Sequence, residues 1–322
     1  MEELRIRSND RGQLILVAAI GLAVLLTLMT LALNTAVFGE IHAAQSDNSL
    51  KEERGAVQYH YSVERGVSGL IDSLNEEYDE YGELERELHD AVAVWNDLSS
   101  SEQLRDGTIT NSSLERVTYE SRVIQDESRA FTDRSGRTEW GVTEDVSDVR
   151  GFEMNVSGEN LTATGDCAGG GACFGLEVEG ANGNSWQLFV HDDGGVTITV
   201  DSPSGGTETY TATETPVRID VAEGSFDVGG SEDEFTTFLQ DGGIEAPYTL
   251  TYTNADNVSG TYELIVGGKI VDETIDDDER YGTDGSPRIE AKIDAADVSV
   301  RYRSTDLTYG TEIVVLPGEI DG

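Results

Sequence analysis

The chain has 322 residues with 63 acidic and 21 basic side chains, a formal net charge of −42. A surface this negative repels phosphate and releases few counterions on meeting it, which excludes nucleic acid as a partner. Its 23 aromatic residues are spread along the sequence, which excludes a solvating acidic tail. The even acidity reads as a surface adapted to high salt, where the screening length shrinks to ~3 Å at 1 M.

The chain opens with a leader, residues 1–12, that carries Arg5, Arg7 and Arg11. From Gln13 to Phe38 there are 26 residues without a formal charge. At 1.5 Å per residue a helix of that length exceeds the ~30 Å hydrocarbon core of a bilayer. The reading is therefore a transmembrane helix over 13–38. The first basic residue after it is Lys51, so the arginine bias places the leader in the cytoplasm and the rest outside, in a single-pass cell-membrane protein. All of the net charge then lies on 39–322, facing the medium.

The leader ending Arg11-Gly12, followed by Gln13 and an unbroken apolar stretch, resembles the class III signal of archaeal type IV pilins and archaellins. The resemblance covers about 40 residues. It implies a cut between Gly12 and Gln13 by a prepilin-type peptidase, a helix held in the bilayer or in a filament, and other pilin-like subunits as partners. Many pilins carry glutamate at the fifth mature position, whereas Val17 stands here, which argues against a main shaft component and fits a minor or tip subunit or a protein that uses the anchor without polymerising.

Beyond the span, Ala56, His60, Val63, Val67, Leu70 and Leu74 form an apolar seam of helical period. Leu84, Leu88, Ala91, Val92, Trp95 and Leu98 form a second, so 39–104 reads as a helical stalk with a second amphipathic helix folded against it. From about residue 105 the period changes from 3.6 to 2. Runs such as Phe174-Leu176-Val178, Trp186-Leu188-Val190, Val196-Ile198-Val200, Tyr262-Leu264-Val266 and Val298-Val300-Tyr302 alternate with polar residues, the pattern of half-buried strands. Turn chemistry separates them at 181–184, 192–195 and 204–206. Residues 105–322 thus read as an acidic all-β head, either one large domain or two small ones joined near 230–245. The fold class expected is α+β: a transmembrane helix extended into a stalk and hairpin, then an antiparallel β-sandwich-like ectodomain. Val298 to Arg303 and the ending Thr311 to Gly322 also resemble uncharacterised pilin-like surface proteins of halophilic archaea.

Cys167 and Cys173 enclose only Ala-Gly-Gly-Gly-Ala and, outside a cell, pair most simply as a disulfide. Asn111, Asn155, Asn160 and Asn257 begin glycosylation sequons. Asp276, Asp277, Asp278, Glu279 and Asp284 are the densest acidic cluster and the candidates for calcium, but the spacing of an EF-hand loop is absent and a solvated loop is the preferred reading. No nucleophile elbow, zinc-binding helix or phosphate loop occurs, so neither a catalytic set nor a cofactor is expected. The functional expectation is a membrane-anchored, extracellular pilin-like structural or adhesion protein. The alternative is a tethered binding module or hydrolase acting on extracellular polymers.

Overall fold

The computed structural model describes residues 48–163, 171–228, 231–240, 242–270, 280–282 and 287–318. Two helices lead, α1 (Asn48–Glu77) and α2 (Tyr81–Gln103), closed by a short 3-10 turn at Leu104–Asp106. Fourteen strands follow among the described residues. They are β1 (Ile109–Ala130), β2 (Trp140–Val146), β3 (Val149–Ser157), β4 (Phe174–Gly180), β5 (Ser185–Asp192), β6 (Val196–Ser202) and β7 (Gly206–Ala212). Then come β8 (Val217–Asp220), β9 (Ser225–Val228), β10 (Ser231–Glu234), β11 (Tyr248–Thr253), β12 (Ser259–Gly267), β13 (Arg288–Arg303) and β14 (Thr308–Val315). One sheet has the order β10-β9-β8-β3-β12-β1-β13-β14, the other β2-β11-β4-β5-β6-β7.

The chain divides into two compact units. The first joins the chain up to Ser73 with Leu88–Arg116 and the chain from Ala296; the second joins Leu74–Glu87 with Val117–Ala295.

In the first unit, the end of β13 pairs antiparallel with β14, setting Tyr302 opposite Tyr309 and Arg301 opposite Gly310. Alternation sends Val298, Val300 and Tyr302 to one face, where they are buried. The helices cover that face. Gly55 of α1 lies under Tyr302, where a Cβ would come within 2.5 Å of the phenol oxygen. The Tyr59 ring stacks on Trp95 with centroids 6.2 Å apart, and His60 Nδ1 lies 3.1 Å from the Tyr309 hydroxyl. On α2, the Asn96 side chain accepts the Ser112 backbone N–H at 2.7 Å, fixing the helix end to β1.

The second unit encloses one apolar core between two sheets. Val123, Phe152, Met154, Val156, Leu264 and Val266 come from the larger sheet; Leu176, Val178, Trp186, Leu188, Val190, Ile198 and Leu250 come from the smaller. Phe235, Phe238 and Ile244, from the segment between β10 and β11, complete it. The indole of Trp186 donates to the Thr236 carbonyl at 2.8 Å and that of Trp140 to the Phe131 carbonyl at 2.9 Å, so both large rings are buried without stranding a donor.

These observations correct the expected fold class. The described chain is mostly antiparallel β-sheet, and α1 and α2 do not form a stalk. The physical reason is the apolar seam of α1: Val63, Val67 and Ile71 are fully buried, and Gly55 and Tyr59 meet Tyr302 and Trp95. A helix whose seam is already covered packs against its own unit instead of projecting from it. No helix among the described residues is long and apolar enough to cross a membrane, against the expected single-pass anchoring and cell-membrane localisation. The expected span at 13–38, with Gly12 and Gln13, lies outside the described residues.

Gly260 marks the tightest backbone approach. It sits at φ +153°, and a Cβ there would lie 1.9 Å from the Asn155 carbonyl oxygen across the β3–β12 pair. At Gly183, φ is +75° but nothing lies within 4 Å of a Cβ. Gly260→Ala should therefore cost about 3 kcal/mol and Gly183→Ala about 1 kcal/mol, read from urea-denaturation midpoints; equal losses would contradict the close approach.

Candidate functional site

The side of the first unit's strands that faces away from the helices is bare. With Tyr302 turned to α1, the alternation turns Arg301 and Arg303 outward beside Thr308 and Gly310 of β14 and Ile109 and Asn111 of β1. Together with Thr110, Tyr302 and Tyr309 these residues line a hollow of ≈350 Å³. Gly310 makes its floor. A Cβ there would find only ordinary contacts, the Val300 carbonyl oxygen at 3.9 Å and Arg301 Cγ at 4.0 Å.

The two guanidinium groups stand side by side on this face. Several arginines of the second unit clasp neighbouring acids, whereas Arg54, Arg65 and Arg105 of the first unit are exposed without an acid partner among the described residues. Arg150 grips both oxygens of Asp294 at 2.6 and 3.0 Å and reaches Asp148 at 2.8 Å, which holds its pKa above the ordinary arginine value. Arg218 lies 2.7 Å from Glu153 and holds that carboxyl below the usual range. Arg288 bridges Asp126 and Glu290, each at 2.7 Å. Arg301 and Arg303 are exposed and have no acid or side-chain hydrogen-bond partner among the described residues. Two residues apart on one strand face, they stand ~7 Å apart along the strand. No carboxylate or histidine is in the lining of the hollow, where Tyr302 and Tyr309 are the titratable hydroxyls.

The residues singled out from sequence are dispersed. Cys173 is buried and disulfide-bonded, while Cys167 lies outside the described residues. Of the sequon asparagines, Asn111 is exposed on β1 at the rim of the hollow, and Asn160 is exposed after β3 at φ +66°. Asn155 is part-buried with its amide 3.2 Å from Glu153, and Asn257 donates its amide to the Ala172 carbonyl at 2.5 Å. Asp276, Asp277, Asp278, Glu279 and Asp284 lie outside the described residues. Among the described residues no group of three or more histidine, cysteine or acidic side chains is placed to hold a metal ion. Sequence reasoning did not single out Arg301 and Arg303 as site residues, although Arg-x-Arg in a strand of a strongly acidic chain is a legible signal.

No family model, curated protein or solved structure matches the chain.

His191, next to last in β5, is 4% exposed, and its Nε2 lies 3.1 Å from the Thr199 hydroxyl. Burial depresses its pKa, and the carboxylates of Asp193 and Asp192 oppose the shift less strongly. The folded state thus resists a proton that the unfolded chain accepts near the ordinary ~6.5. Stability contributed by neutral His191 is full above that value and is lost as pH falls below it. His191→Gln should flatten the fall in unfolding free energy between pH 7 and 5; parallel curves for the two proteins would refute the assignment.

Proposed function

We propose that this chain is a pilin-like structural or adhesive protein that works by surface contact and not by catalysis. One observation carries the reading: every large hydrophobic side chain exposed by more than a third, among the described residues, belongs to the first unit. These include Val57 and Tyr61 on α1, Val94 and Leu98 on α2, Ile109 on β1 and Val314 on β14, between 46% and 62% exposed. Val57 with Tyr61 and Val94 with Leu98 are spaced four apart, so each pair shares one helix face. Ile109 and Val314 flank the bare sheet face. Apolar side chains gathered in one unit of an otherwise acidic protein support an interaction surface.

The reading is tested with beads coated with the full-length chain. Ile109→Asp and Val314→Asp change solvated positions, so they should leave the denaturation midpoint unchanged and lower bead retention on cell-derived surfaces at least ~10-fold, about 1.4 kcal/mol. Unchanged retention, or release of soluble fragments from polymer substrates by the wild type, would overturn it.

A further inference from the structure

The bare sheet face rests on the reading just given, and its chemistry specifies a ligand class. We infer that the hollow over Gly310 is a subsite for an acidic polysaccharide. Its anionic groups are held by Arg301 and Arg303, and its sugar rings lie over the floor between them. Three properties of the hollow converge on this class.

The first is charge. On a chain of net charge −42, a polyanion is repelled almost everywhere. It is drawn to cations without acid partners, and among the exposed arginines of that kind, which include Arg54, Arg65 and Arg105, Arg301 and Arg303 are the two that share one strand face. Guanidinium groups present paired N–H donors in a planar fork that fits a carboxylate or a sulfate with two parallel hydrogen bonds. Their strand spacing supplies two such forks on one face.

The second is the floor. Gly310 offers bare backbone, and the aliphatic stem of Arg301 and the side chain of Ile109 flank it. An arginine stem packs as an apolar surface while its head stays in water, the arrangement that takes the C–H face of a sugar ring. The third is the rim. The Asn111 amide and the Thr308 hydroxyl both donate and accept hydrogen bonds, as a sugar hydroxyl does. An acidic peptide shares the anionic groups but has no sugar ring to lay over the floor, so the polyglutamate arm of the test separates the two.

The geometry also supplies a variant that leaves the fold intact. Gly310 has no positive φ, lies in a strand, and has open space at its Cβ, so Gly310→Val should fold normally and fill the hollow. Arg301→Gln with Arg303→Gln removes the charge and keeps the volume. The full-length chain is titrated in molar salt, which lifts long-range repulsion, with oligogalacturonate, dextran sulfate, neutral galactan of equal length and polyglutamate of equal charge.

The expected result is binding of oligogalacturonate, weakened at least 10-fold by the double arginine variant and at least 10-fold by Gly310→Val, with galactan and polyglutamate binding at least 10-fold more weakly. Dextran sulfate bound alongside oligogalacturonate identifies the anion as shared between uronates and sulfated sugars. Dextran sulfate bound at least 10-fold more weakly identifies it as carboxylate. Equal binding of galactan or of polyglutamate, or oligogalacturonate binding untouched by both variants, would overturn the inference. So would a change in self-association as the only effect of the arginine variant. Each of these can occur while bead retention still depends on Ile109 and Val314, so the ligand class and the contact reading fail separately.

Discussion

Sixty-three carboxyl groups must stay in water while the chain still closes an apolar core, and the rest of the structure follows from that constraint. Burying an unpaired charge costs far more than the few kcal/mol by which a protein is stable. Among the described residues Asp133 is the one acid that is buried, and it is held by the guanidinium and the backbone N–H of Arg137. All the other described acids lie on outward positions of strands, on helix surfaces or in turns. Strands suit this demand because a period of two separates the faces cleanly. In β12, Tyr262, Leu264 and Val266 are buried while the residues between them are half-exposed.

Arginine manages the crowding that results. In the second unit Arg122, Arg150, Arg218 and Arg288 each reach one acid two residues along the chain and at least one on another strand, so like charges brought together by the sheet are separated by a cation. These exposed pairs each contribute little stability, but they relieve repulsion between neighbouring carboxylates. In the first unit Arg54, Arg65, Arg105, Arg301 and Arg303 reach no acid among the described residues, and the last two stand together on one strand face. The same stretch lacks carboxylates in its lining and exposes apolar side chains, so charge and hydrophobicity change together in the first unit.

Much of the strand layout was legible because apolar alternation is a direct consequence of half-burial. Phe174-Leu176-Val178 lies in β4, Trp186-Leu188-Val190 in β5 and Val196-Ile198-Val200 in β6, with Gly183 and Gly194 in the turns between. The 22-residue β1 was not legible, because Thr110, Ser112, Ser121 and Gln125 occupy its buried positions and mask the alternation. β7 was hidden for the opposite reason: as the edge of the smaller sheet it buries only Ala212. In the helices the seam was visible but its width was not. Tyr59 and Ile71 broaden the buried face of α1, and Leu98, read into the apolar face of α2, is 46% exposed. The candidate site escaped sequence reasoning because it depends on register: only the pairing of Arg301 with Gly310 and of Arg303 with Thr308 turns a short Arg-x-Arg into a lined hollow.

The central claim is that contact is made by the bare strand face of the first unit. Amide hydrogen exchange along the full-length chain, with and without an adherent cell-derived surface, tests it most directly. Protection is predicted at 109–111, 299–303 and 308–314, with β4 to β7 unchanged. Protection confined to the outer face of β4 to β7, with those three segments unaffected, would contradict the account.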